Sequence, residues 1–290
     1  MTPMLTCIQF HKLGFGEFVG EKGSVWNSID SMQHYLQRHP SPPGSSAFVI
    51  GSQGLKAAMR ELGMLLVHPD GPSPVEREFG PHEMSKLEVC SNVRTVVVGF
   101  DRTFCYFSLA YAVRCLLENE GCRLVVTNRD FQFPASGKRL PGTGAVVAAI
   151  CAGANREPDA VTAKPSRVML DLIMAEAGVT AERTLMVGDM WSDIAFGHRA
   201  GASAALVLSG VASAEDAARW KGDMRPDGIF TDIRGLISPT QVVRPLETRA
   251  ADYVNWVAAA RGVMRPKLSI VVAGVFGAAA IGFLGGLVRR

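Results

Sequence analysis

Short apolar runs alternate with amphipathic stretches along most of this chain. Ala47–Ser52 (AFVIGS), Thr95–Asp101 (TVVVGFD), Cys122–Asp130 (CRLVVTNRD), Thr184–Asp189 (TLMVGD) and Ala204–Gly210 (AALVLSG) have the compact, β-branched-rich character of buried strands. Between and around them GLKAAMREL, Ser108–Gly121, Ala145–Ala154, Pro165–Gly178 and Ser192–Gly201 read as helices, with Gly63 and Gly121 as stop signals. Pro69–Ser85 is rich in proline and glycine and reads as a loop, as does the stretch from Asp130 to Gly144. Gly228–Leu236 reads as a last strand and turn, and a short amphipathic helix around Asp252–Arg261 lies in a linker. Strand–helix alternation of this kind predicts an α/β chain with a largely parallel sheet.

The pattern breaks near the C-terminus. From Leu268 to Val288 the only polar side chain is Ser269. As a helix this run spans about 30 Å, the thickness of a bilayer's hydrocarbon core. Arg261, Arg265 and Lys267 precede it, and Arg289 and Arg290 follow. Gly274, Ala278, Gly282 and Gly286 form one smooth stripe on such a helix, a surface on which two membrane helices pack into a homodimer. The alternative is a buried core helix or a glycine-rich tail. The opening MTPMLTCIQFHK is too short and polar for a signal peptide. The expectation is therefore a tail anchor that leaves the bulk of the chain on the cytoplasmic face of an intracellular membrane. Its weak hydrophobicity and basic flanks suit mitochondrial or peroxisomal outer surfaces; without the anchor, the chain would be cytoplasmic.

Composition narrows the classes. The chain has 290 residues, 48% hydrophobic and 20% charged, which excludes a disordered chain. Thirty basic against 27 acidic residues leave a net charge of +3, without the basic stripe of a nucleic-acid binder. Six cysteines show no C-x-x-C or zinc-type spacing, which favours thiols of a reduced compartment. The glycines Gly14, Gly16 and Gly20 follow no strand, so they make a weak dinucleotide loop.

Two places carry chemistry. At LMVGDMWSDIAFG an apolar strand ends in Gly188-Asp189, and Asp193 lies one helical turn further on. Ligands gather at the carboxyl ends of parallel strands, and paired carboxylates there suit a hard cation such as Mg²⁺. The structural alternative is that Asp189 caps the next helix and Asp193 is solvated. Upstream, Ala163-Lys164-Pro165-Ser166 opens a helix, where lysine and the helix N-terminus attract an anion.

Lysine, helix, then G-D-x-x-x-D at a strand end resembles the third and fourth motifs of the haloacid-dehalogenase (HAD) superfamily. TVVVGFDRTFCYFSLAYAVRCLLENEGCRLVVTNRDFQFP resembles the large cap of its p-nitrophenylphosphatase and phosphoglycolate (pyridoxal phosphate) phosphatase branch. AFVIGSQGL, Pro141–Gly144, HKLGF and VWNSIDSMQHYL fit the same branch, so the resemblance runs from about Ile8 to Leu236. It implies a HAD-type Rossmann-like core, incomplete at its N-terminus, with an inserted α/β cap domain and a C-terminal transmembrane helix. The corresponding bounds are 1–45 for a core remnant, 46–155 for the cap, 156–236 for the C-terminal core, 237–267 for a linker and 268–288 for the anchor. By position, Lys164 becomes the catalytic phosphate-binding lysine, Asp189 the Mg²⁺ ligand and Asp193 its support. The cap loop with Thr127, Asn128, Asp130 and Phe133 becomes the substrate selector, unless Phe133 merely packs the cap. The implied reaction is hydrolysis of a small phosphorylated metabolite through an aspartyl phosphate, with no nucleic-acid partner.

Three departures stand out. Ala163 replaces a glycine, and the spacing from Asp189 to Asp193 is one residue shorter than usual. The branch's nucleophile motif D-x-D-G is absent from the sequence. Its strand would sit beside the strand ending at Asp189, whose edge should then be open and the half-core unstable. Two expectations follow: Met1 is internal to a longer, working phosphatase, or the chain is a catalytically dead, membrane-tethered binding or scaffold protein. An unrelated nucleotide-binding α/β protein is the remaining class, and the lysine and aspartate order argues against it.

Overall fold

A computed structural model of the chain describes residues 25–67, 87–135, 138–236 and the pairs 242–243, 271–272 and 283–284. These form two compact units, one from Ser28 to Ala163 and the other from Lys164 onward together with the residues just before Ser28. Strand β1 (Val25–Trp26) belongs to the second.

The first unit contains α1 (Ser28–Arg38), β2 (Ser46–Ile50), α2 (Gln53–Glu61), β3 (Leu65–Val67), β4 (Val93–Val98), α3 (Tyr106–Glu118) and β5 (Arg123–Val126). There follow the hairpin β6 (Gln132–Ala135) and β7 (Lys138–Pro141), then α4 (Thr143–Ala154) and β8 (Ala160–Val161). Its five-stranded sheet has the order β3-β2-β4-β5-β8, all parallel. The two-residue period of the strands sorts the core into two faces. Phe48, Ile50, Val96, Val98, Leu124 and Val126 meet Tyr111 and Cys115 of α3 and Val147 and Ile150 of α4. Ala47, Val49, Val97 and Val125 meet Ile29, Met32 and Leu36 of α1 and Leu55 and Met59 of α2. Every central strand is therefore apolar on both sides, as its continuous hydrophobic run required.

These packing partners set the unit's limits. Because α1 covers one face of the sheet, the unit starts at Ser28 rather than at residue 46. It continues past residue 155 because β8 joins the sheet edge and the Thr162 and Ala163 N–H groups donate to Val126 and Thr127. The stretch read as a loop up to Gly144 holds the antiparallel β6–β7 hairpin. Strand β7 is exposed along its whole length, so no buried face existed to write a hydrophobic period into the sequence.

The second unit continues with α5 (Val168–Ala177), β9 (Leu185–Gly188), α6 (Trp191–Arg199), β10 (Ser203–Val207), α7 (Ala214–Arg219) and β11 (Gly228–Phe230). Short strands β12 (Val242–Val243), β13 (Val271–Val272) and β14 (Phe283–Leu284) complete it. The sheet order is β12-β11-β10-β9-β13, with β9, β10, β11 and β13 parallel and β12 antiparallel at the edge. Helix α6 lies so close to this sheet that a Cβ on Gly197 would stand 2.8 Å from Cβ of Met186. The α/β architecture with parallel sheets is thus as the strand–helix alternation predicted.

The tail differs from expectation where it can be described. Val271–Val272 pairs in parallel with Met186–Val187 of β9, and Phe283–Leu284 pairs antiparallel with β1. These four residues are strand, not helix, and the β9 edge expected to be open is covered across two residues. The rest of the 268–288 run lies outside the described residues, as do Gly14, Gly16, Gly20, the loop Pro69–Ser85 and the segment Asp252–Arg261. Among the described residues no helix is long and apolar enough to cross a membrane.

At the end of α6, both ring nitrogens of His198 face acceptors: Nδ1 is 2.9 Å from the Asp223 carbonyl and Nε2 is 3.0 Å from Asp227 Oδ2. Only the doubly protonated ring donates to both, and the Asp227 hydrogen bond raises the histidine's pKa against the opposing effect of burial. Arg199 pairs with Asp223 at 2.6 Å alongside. A raised folded pKa means that this stabilisation is complete below the ordinary histidine pKa and is lost as pH rises through the folded one. Melting curves between about pH 6 and pH 8 should therefore show the thermal midpoint falling, and His198→Gln should flatten that slope.

Candidate active site

Strand β9 delivers Asp189 to its carboxyl end, and α6 begins two residues later. Asp193 sits in the first turn of α6 and is 0% exposed. Its Oδ2 accepts the backbone N–H groups of Asp189 (3.1 Å) and Met190 (3.0 Å), closing the helix N-terminus. Its Oδ1 accepts Lys164 Nζ at 2.6 Å, and the Lys164 side chain is itself only 12% exposed. The structural alternative does not hold: Asp193 is buried and, from the first turn, accepts the N–H of the N-cap residue Met190, whereas Asp189 accepts no N–H of α6. Asp193 thus supports Asp189 through the backbone, with both oxygens committed. Gly188 makes room for it, since a Cβ there would lie 2.2 Å from that of Asp193.

Asp189 is 7% exposed. Its Oδ2 accepts the Val211 N–H at 3.0 Å, and its carbonyl accepts the Ala212 N–H at 3.1 Å. Its Oδ1 is buried with no hydrogen-bond partner. Burial, reinforced by the neighbouring Asp193 charge, raises the Asp189 pKa; the Val211 N–H and Lys164 oppose this. A buried carboxylate with one unpaired oxygen is costly in an apolar setting and is met well by a hard cation. The described residues contain no cluster of three or more His, Cys, Asp or Glu side chains able to cage a metal. Among the described residues, Asp189 is the buried carboxylate left with an unpaired oxygen. Lys164 lies ahead of α5 rather than inside its first turn, because the helix starts at Val168.

Thr127, Asn128 and Asp130 follow β5 in the first unit and form a relay. Thr127 Oγ1 donates to Asn128 Oδ1 at 2.9 Å, and Asn128 Nδ2 donates to Asp130 Oδ2 at 2.8 Å. The Gly144 and Gly142 N–H groups donate to the carbonyls of Asp130 and Phe131, and Cβ atoms on these glycines would strike the backbone at Arg129 and Asp130. That explains the P-G-T-G sequence: only glycines let the start of α4 close on this loop. Phe133 lies in β6, and its side chain is outside the described residues. Lys164, Asp189 and Asp193 are brought together in the second unit, while Thr127, Asn128, Asp130 and Phe133 belong to the first. Sequence reasoning missed Gly210 and Val211, which hold Asp189; the one signal was a glycine ending the apolar run AALVLSG.

This geometry agrees with what the chain is similar to. A family profile described as HAD-hydrolase-like matches residues 161–236. The chain is 31% identical over 231 residues to phosphoglycolate phosphatase 2 of Arabidopsis thaliana, covering 79% of this chain and 75% of that protein. It is 38% identical over 213 residues to glycerol-3-phosphate phosphatase of Homo sapiens, covering 72% of this chain and 65% of that protein's length. A glycerol phosphate phosphatase from Mycobacterium tuberculosis, solved in complex with magnesium, shares the fold with a TM-score of 0.66 at 23% identity, over 95% of this chain and 81% of that one. The chain belongs to the HAD-like hydrolases. Within them it falls in the branch of the glycerol-3-phosphate and phosphoglycolate phosphatases.

The two buried acids lead to opposite expectations. Lys164→Ala leaves Asp193 buried and without its ammonium partner, and should cost about 3 kcal/mol in denaturant unfolding. Asp189→Asn removes a poorly compensated buried charge, and without added metal should raise the thermal midpoint by about 2 °C.

Proposed function

We propose that the chain carries the phosphate- and metal-binding half of a Mg²⁺-dependent phosphatase site that acts on small phosphorylated metabolites. The observation that carries this reading is the buried Lys164–Asp193 pair beside an Asp189 whose Oδ1 has no partner. Asp189 would hold the cation, in keeping with the habit of Mg²⁺ to take one or two protein carboxylates and complete its shell with water and phosphate. When bound, the ion supplies positive charge that neutralises phosphate oxygens. Asp193 keeps the Asp189 backbone and the Lys164 ammonium in place, so lysine charge stands ready for a phosphate without rearrangement. Thr127, Asn128, Asp130 and Phe133 select the leaving group in this reading, as the branch resemblance implies.

The sequence supplies no D-x-D pair to attack phosphorus. In this reading the 290 residues bind a phosphate ester, and hydrolysis belongs to a form that also carries the aspartate nucleophile. The 290-residue chain should bind Mg²⁺ in calorimetry yet turn over p-nitrophenyl phosphate no less than about 10⁴-fold more slowly than a form with an upstream D-x-D-G. Equal turnover would defeat the reading. In the longer form, Asp189→Asn or Lys164→Ala should abolish nearly all activity.

A second reading, a membrane-tethered binding or scaffold protein, is favoured by the apolar run from Leu268 to Val288 with its basic flanks. It places the protein on the cytoplasmic face of an intracellular membrane. Fractionation of cells tests it: removal of Leu268–Arg290 should move the protein from membranes to the soluble fraction. A full chain that is already soluble rules out the tether.

A further inference from the structure

We infer that Gly210 is a positioning residue that aims the free oxygen of Asp189 at a cation. The inference rests on the reading of Asp189 as cation ligand. Three consecutive residues after β10 grip Asp189. The Val211 N–H donates to Oδ2, the Ala212 N–H donates to the main-chain carbonyl, and Gly210 stands so close that its Cβ position is taken up by the Asp189 side chain. A Cβ on Gly210 would stand 2.0 Å from Asp189 Oδ2, 2.5 Å from Cγ and 2.4 Å from Cβ. No left-handed backbone conformation demands glycine here, unlike Gly201 and Gly222 with φ of 81° and 60°. The contact with Asp189 is what excludes a side chain. Asp189 has no room to retreat along the backbone, because its N–H is held by Asp193 Oδ2 at 3.1 Å. A methyl at position 210 must therefore rotate the carboxylate off the Val211 N–H and turn Oδ1 away from its present direction.

The test uses Mn²⁺ as the probe, with affinity read by calorimetry on the full chain, so that no turnover is needed. Gly210→Ala should weaken Mn²⁺ binding at least about tenfold, the usual scale for losing a group that orients a metal ligand. Ser209→Ala, in the same loop, should leave the affinity unchanged. Adding Gly210→Ala to Asp189→Asn should cost nothing further, since both act through one carboxylate. Wild-type affinity in Gly210→Ala overturns the inference while leaving Asp189 as the ligand. Wild-type affinity in Asp189→Asn overturns the ligand reading and the inference together. Should Gly210→Ala fold poorly, Asp189→Gly supplies the space. The methyl's destabilisation should vanish in that background, and its persistence there would show that the conflict lies elsewhere.

Discussion

Burying the Asp193 carboxylate is the constraint on which the second unit's site depends. An ionised carboxylate in a protein interior is tolerated only when each oxygen has a partner. Here one oxygen takes the N–H groups of Asp189 and Met190 and the other takes the Lys164 ammonium. Those bonds tie three segments together: Lys164 ahead of α5, the end of β9 and the start of α6. Everything else about Asp189 follows. Its backbone is fixed by Asp193, its carbonyl and Oδ2 by the loop after β10, and Oδ1 is left, among the described residues, as a buried side-chain oxygen without a partner. Among the described residues the site sets two buried carboxylates against Lys164, an arrangement that is poor for folding and that a divalent cation would relieve.

The fold makes this placement cheap. In the second unit the carboxyl ends of β9 and β10 lie side by side in parallel register, so the residues following them meet without long loops. Gly197 lets α6 approach the sheet closely enough for its N-terminal turn to reach over the strand end. The first unit follows the same logic with a different outcome. Its parallel strands also end in polar residues, but Thr127, Asn128 and Asp130 satisfy one another in a neutral-to-acidic chain of hydrogen bonds. One strand end is built with an unmet oxygen and the other without.

Much of the architecture was legible because buried parallel strands must be apolar on both faces. AFVIGS, TVVVGFD and TLMVGD therefore stand out from any other reading. The hairpin at Gln132–Pro141, the short strands β3 and β8 and helix α7 carried no such signature, since an edge or a surface element needs no continuous apolar run. The helix start after Lys164 was misplaced for a related reason: Pro165 fits a first turn, yet Ser166 and Arg167 lead into a helix that begins only at Val168.

The sequence by itself determined the apolar strand–helix alternation, the absence of a D-x-D pair, and the choice of Lys164, Asp189 and Asp193 as candidate site residues. Each follows from local composition or from residues close together in the chain. Only the tertiary structure decided what those residues touch. Which aspartate keeps an unpaired oxygen, and why Gly210 carries no side chain, depend on the loop after β10 meeting the end of β9, segments far apart in sequence. The tail shows the same limit: an apolar run has the composition of a membrane helix, yet Val271–Val272 lies beside β9, because an open sheet edge and a bilayer both reward the same side chains.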